Sequence, residues 1–112
     1  MTDDNELPYD YDVMFGLLLG QVLLGFRRRA NLGQREVVAA TRMSQSSLSR
    51  IEAGTTPDVL QFRRLCAALG VEGSHVLDTV DVAERHARDL HKPGAALAPL
   101  AAYAVSLATE AV

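Results

Sequence analysis

The chain is poor in several features that would otherwise direct its reading. Its 112 residues hold one cysteine, Cys66, which excludes an internal disulfide and a zinc site made of cysteines alone. Cys66 lies on an apolar helical face, where a small core residue is its expected role. No clean apolar run approaches the ~20 residues of a membrane span. The nearest candidate, 13–26, is interrupted by Gly16, Gly20, Gln21 and Gly25, and is preceded by acids rather than the basic region of a secretory signal. A cytoplasmic location follows as the expectation, with no membrane partner. His75, His86 and His91 do not stand at metal-ligand spacing with carboxylates or cysteine, so all three are expected on the surface, with no metal and no cofactor. Nothing pairs a nucleophile with a base, cradles a phosphate in glycines or sets two carboxylates together, which argues against an enzyme.

Net positive charge is missing as well: the formal charge is −3. Its distribution says more than its sum. Residues 1–19 carry five acids and no base, and residues 71–112 carry six acids and three bases. Between them, residues 20–70 hold eight arginines against Glu36, Glu52 and Asp58, a local balance of +5. A phosphate backbone responds to the charge it meets locally, so the acidic total does not exclude DNA.

The length fits one domain with a modest core. Residues 1–11 form an acidic arm. A first helix is predicted over 12–30, capped by Asp10 or Asp12, with Asn31 ending it in a left-handed conformation and Gly33 capping the next helix. Its apolar start exceeds one helical face, since Leu17, Leu18 and Leu19 point in three directions about 100° apart. Another element or another subunit must cover the surplus. Farther on, Thr56 with Pro57 predicts a helix start. Val59, Phe62, Leu65, Cys66 and Leu69 form its apolar face, and Gly70 stops it. Ser74 is the expected cap of a fifth helix reaching His91. Val76, Leu77, Val80, Ala83, Ala87 and Leu90 line its inner side; Asp81 with Arg85 and Glu84 with Arg88 form its solvated side. After Lys92-Pro93-Gly94, residues 95–112 carry one charge, Glu110, and predict a further apolar helix. The fold class is all-α.

Residues 34–54, QREVVAATRMSQSSLSRIEAG, read as two short helices joined by a tight turn. Ser44 stands where an N-cap belongs. Leu48 and Ile51 give the second helix an apolar stripe, while its other side carries Gln45, Ser46, Ser47, Ser49 and Arg50. These are neutral donors and acceptors plus one fork-shaped cation, the equipment for reading base edges in a major groove. Arg28 and Arg29 fit a phosphate contact or a solvated helix end equally well, and Arg63 and Arg64 fit the surface.

These residues resemble the Cro and lambda-repressor-like (XRE) helix-turn-helix proteins. The likeness covers about residues 19–77, carried by Leu19-Gly20, Leu23, Phe26, Arg27, Asn31-Leu32-Gly33-Gln34, the run from Met43 to Gly54, Pro57 and Ala68-Leu69-Gly70-Val71. It implies a five-helix domain over 12–91 with an N-terminally extended first helix and an extra C-terminal apolar helix. Its third helix would enter the major groove. Base contacts then fall to Gln45, Ser46 and Arg50, and backbone contacts to Gln34, Arg42, Ser44, Ser47, Ser49, Thr55 and Thr56. Arg27 and Glu52 match a structural ion pair between the first and third helices. Two positions depart from the pattern: Val38 replaces a small residue, and Arg42 replaces a turn glycine at a cost of about 1–2 kcal/mol if left-handed.

The expectation is a sequence-specific DNA-binding transcriptional regulator on double-stranded DNA, a homodimeric repressor of a near-palindromic operator, associated with the nucleoid when bound. Leu17 and Leu18, with Leu97, Leu100, Tyr103, Val105 and Leu107 of the tail, are the candidate dimer interface, unless the tail packs back on its own first helix. The alternative is an antitoxin or adaptor whose apolar tail binds a regulatory protein partner, with DNA binding secondary. No small-molecule ligand is indicated.

Overall fold

The computed structural model describes residues 11–90 and the single residue Ser106. Both the arm, 1–10, and the tail readings at Leu97, Leu100, Tyr103, Val105 and Leu107 lie outside the described residues, as does His91. Five helices follow one another: α1 Tyr11–Arg29, α2 Gln34–Thr41, α3 Gln45–Ala53, α4 Val59–Leu69 and α5 Gly73–Leu90. The described residues include no strand, and none of their helices is long and apolar enough to cross a membrane.

α1 runs through the middle of the domain. It packs on α5 and α3 most extensively and touches α4 as well. Met14, Leu18, Leu19, Val22, Leu23 and Phe26 are all buried, so most of the apolar surplus of this helix is consumed inside its own chain, with Val13 left 61% exposed. That corrects the reading of Leu18 as a dimer contact: it is 0% exposed in the core. Leu17 is half-buried beside Gly54. Near the C-terminal end of α1, the Phe26 ring meets His75 edge-on at 5.4 Å, close to the start of α5. The extensive contact between the two helices from that point requires them to run antiparallel.

Two glycines let α1 approach the end of α3. A Cβ on Gly20 would collide with the Ile51 carbonyl oxygen, and one on Gly16 with the Gly54 carbonyl oxygen. Both neighbours are backbone atoms that cannot swing aside.

Several helix ends are set by local chemistry. Asn31 (φ 58°) ends α1 in the left-handed region. Gly33, which has no side chain to cap with, is held from the other side as its N–H donates to Glu36 Oε2 at 2.8 Å. The start of α4 differs from expectation. Asp58, not Thr56, is its N-cap: its carboxylate accepts the Gln61 N–H at 2.7 Å, and Gln61 Oε1 accepts the Asp58 N–H at 3.0 Å. This reciprocal pair satisfies two otherwise orphaned donors, which leaves Pro57 outside the helix. α5 likewise starts at Gly73, its first helical bond running from the Val76 N–H to the Glu72 carbonyl, so Ser74 lies inside the first turn rather than capping it.

Tertiary placement overrides periodicity at other points. Val59 and Leu77 are 76% and 39% exposed, although both fit the apolar stripes of their helices. Glu84, read as solvated, is buried. His75, read as a surface residue, is half-buried, and its Nε2 is enclosed without a hydrogen-bond partner among the described residues. Val76, Val80 and Ala83 do line the core, as do Leu65 and Cys66 of α4. Burial pushes the Cys66 thiol above its ordinary pKa, opposed by a backbone hydrogen bond.

The contact of α1 with α3 yields a direct prediction. Gly20→Ala forces the two backbones apart and should cost about 2 kcal/mol, seen as a lower urea midpoint with an unchanged slope. An unaltered midpoint would show that the close approach carries no stability.

Candidate nucleic-acid interface

The turn between α2 and α3 is built by residues that satisfy one another. Arg42 caps α2 in the left-handed region (φ 61°, ψ 22°), its N–H donating to the Val38 carbonyl at 2.9 Å. Buried Thr41 closes the bend from below. Its hydroxyl donates to the Val37 carbonyl at 2.7 Å and accepts the Met43 N–H at 3.3 Å. Ser44 then caps α3, accepting the Ser47 N–H at 3.0 Å, a device worth about 1 kcal/mol. Leu48 and Ile51 turn into the core, as does Val37 of α2. Val38 is half-buried against that core, so the larger residue is accommodated at the edge of the α2–α3 junction.

Between the start of α2 and the end of α3 lies a polar cluster centred on Glu52, whose side chain is 9% exposed. Arg27 donates to it twice, Nε to Oε2 at 2.7 Å and Nη2 to Oε1 at 3.1 Å. The remaining guanidinium nitrogen, Nη1, donates to the Leu32 carbonyl at 2.9 Å. Gln34 Nε2 donates to Glu52 Oε1 at 2.7 Å. Gln21 of α1 donates to the Glu52 carbonyl at 3.1 Å. An ionised carboxylate only accepts, so Gln34 must present its amide nitrogen inward and its oxygen outward. That oxygen accepts from Gln45 Nε2 and, at 3.3 Å, from Ser49 Oγ. The interior thereby fixes the orientation of two side chains on the outward face of α3.

That face presents Gln45, Ser46, Ser49 and Arg50, all exposed, with Ser47 half-buried beside the cap. No carboxylate of α3 joins them, since its only acid is the inward Glu52. Arg50 ends the row. The Thr55 N–H donates to its carbonyl at 2.9 Å, which draws the loop after Gly54 (φ 128°) against the end of α3 and leaves Thr55 and Thr56 exposed at its edge. Arg42 and Ser44 are exposed at the turn. Gln34 is brought into the cluster beside Gln45; its side chain faces three protein partners, Glu52, Gln45 and Ser49, in the DNA-free chain. Leu18 belongs elsewhere, to the core, and Leu17 is half-buried beside Gly54.

One residue escaped the sequence reading. Arg35 is exposed in the first turn of α2, next to Gln34. A cation at a helix N-terminus opposes the macrodipole, so helix stability does not account for this position. Among the described residues no group of three histidine, cysteine or acidic side chains could hold a metal ion.

Comparison with known families bears on this geometry. A family model described as a helix-turn-helix domain matches residues 18–79, more than half of the chain. The chain belongs to the helix-turn-helix domain family. No curated protein matches it significantly. The matched span of the helix-turn-helix domain runs from Leu18 of α1 to Thr79 of α5, so it contains the turn, the Glu52 cluster and the Gly20 contact together. A helix-turn-helix domain is a DNA-binding rather than an enzymatic kind of domain, and DNA is the partner that this membership supports.

The Arg27–Glu52 pair makes a thermodynamic prediction. Arg27→Ala or Glu52→Ala alone strands a poorly solvated charge and should cost about 3 kcal/mol. The double variant should lose markedly less than the sum of the two, by chemical denaturation. Additive losses would mean that the pair is not energetically coupled.

Proposed function

We propose that this protein is a sequence-specific transcriptional repressor that reads DNA through the outward face of α3. The observation that carries the reading is that face itself: Gln45, Ser46, Ser49 and Arg50 exposed in a row, with the helix's single carboxylate turned inward. Laid in a major groove, Arg50 offers guanine two parallel hydrogen bonds, and Gln45 keeps its oxygen and one amide hydrogen for an adenine edge. Ser46 contacts a base at the start of the helix. Arg42, Ser44, Ser47, Ser49, Thr55 and Thr56 follow the backbone, which they position without reading. The N-terminal amides of α2, with Gln34 and Arg35, face a phosphate on the other flank.

A helix of nine residues reads only about four to six base pairs. Useful specificity therefore calls for two copies on a near-palindromic operator, their α3 helices about one turn of DNA apart. Leu18 is unavailable for that pairing, and the apolar stretch 95–112, with Leu97, Leu100, Tyr103 and Leu107, is the segment to which it falls. Occupancy of an operator suffices to block transcription, which is why repression is the reading.

Site selection from random duplexes tests it, using the whole protein and Arg50→Ala. The expected product is a two-fold symmetric sequence whose half-sites lie one helical turn apart. In the variant, one base preference should vanish and affinity should fall by about 1–3 kcal/mol. Failure of the wild-type protein to enrich any sequence at moderate salt would refute the proposal.

A further inference from the structure

The charge pattern of the chain leaves one segment unexplained by a DNA-reading face. Residues 1–10 carry Asp3, Asp4, Glu6 and Asp10 and no base, in a protein whose cationic segment is central. The fold determines where that segment is rooted. α1 begins at Tyr11, and five residues later Gly16 lies against the loop that follows α3, where an added Cβ would meet the Gly54 carbonyl and stand 2.9 Å from Thr56 Oγ1. Tyr11, where the acidic segment joins α1, thus stands five residues from the contact with the loop of Thr55 and Thr56 at the edge of the α3 face.

Reach is not limiting. Tyr11 lies about 8 Å along the helix from Gly16, at 1.5 Å per residue. Ten further residues extend at most about 35 Å, whereas the nine residues of α3 span about 13 Å. The segment is long enough to return along the whole outward face of α3. Arg50, at the near end of that face, and Arg42, at the turn, are exposed and unpaired with any carboxylate among the described residues.

We propose that the acidic segment 1–10 docks on the arginine-bearing α3 face and its adjoining loop when DNA is absent, so that DNA binds by displacing it. Charge complementarity, the point of attachment and the available length select this occupant. A carboxylate meeting an exposed guanidinium is a weak contact alone. Tethering supplies the missing strength, because a short linker holds the segment at an effective concentration in the millimolar range. The consequence for DNA affinity rests on the DNA-reading face proposed above; the docking itself does not.

Buried Cys66, with its thiol pushed up by burial, allows a nitroxide to be placed selectively on Thr2→Cys in the full chain at neutral pH. Without DNA, the label should broaden the amide signals of residues 45–56 in preference to those of α4 and α5. Adding Asp3→Asn, Asp4→Asn and Glu6→Gln should remove that preference. Broadening that is uniform, or that centres on α5, overturns the docking. The same three substitutions without the label should tighten DNA binding about ten-fold at 0.1 M salt, with a smaller gain at higher salt as screening shortens. Unchanged affinity would overturn the displacement. If selective broadening is found but neither form binds any duplex, the docking stands and the DNA-reading proposal falls.

Discussion

The Glu52 carboxylate is the point at which three helices are held to one another. Its two oxygens take three hydrogen bonds, two from Arg27 of α1 and one from Gln34 of α2, while the carboxylate itself belongs to α3. A charge this poorly solvated needs all its partners, so the cluster specifies one arrangement of the three helices more than it adds net stability. Arg27 extends the constraint by holding the Leu32 carbonyl, which fixes the link between α1 and α2. Through Gln34 the same carboxylate reaches the surface, because the amide that serves Glu52 with its nitrogen must serve Gln45 and Ser49 with its oxygen. Interior electrostatics and exterior recognition are therefore one hydrogen-bonded unit.

The same C-terminal end of α3 is also held by shape. Gly16 and Gly20 bring α1 against the carbonyls of Ile51 and Gly54, closer than any side chain would permit. With the Glu52 side chain clamped and the carbonyls beside it pressed against α1, the C-terminal end of α3 is fixed in place. Its outward residues are presented in advance, which lowers the ordering cost of binding. The same contact holds Gly16, near the start of α1, against the loop that follows α3.

How much of this could be read from the chain depended on how local the cause was. Ser44 as a cap and Asn31 in the left-handed region follow from side chains acting within a few residues, whereas the left-handed Arg42 was expected only from the resemblance to helix-turn-helix proteins. The start of α4 was misread because Thr56-Pro57 and Asp58 are both good local solutions. The reciprocal pair of Asp58 with Gln61 prevails by satisfying two donors. Periodicity named Val59 and Leu77 as core and Glu84 as solvated, yet only the neighbouring helices decide which side of an amphipathic stripe is covered. The apolar excess at Leu17–Leu19 was visible, but not that α5 and α3 would enclose Leu18 and Leu19. Within the candidate interface, the bridge from Glu52 through Gln34 to Gln45 links residues far apart in sequence, and nothing in their spacing announces it.

Charge completes the account. Seven of the eight arginines in the central segment are exposed, and Arg27 alone is committed to the interior. Under the proposed function, a phosphate approaching α3 would meet Arg35, Arg42 and Arg50, while Arg27 neutralises Glu52 behind them. The most direct test of this arrangement is a titration of the isotopically labelled protein with a short selected duplex, followed by amide chemical shifts. The account predicts that changes concentrate in residues 34–35, 42–50 and 54–56 and leave the buried stretch of α5 nearly still. Changes centred on α4 or α5, with α3 unaffected, would contradict it.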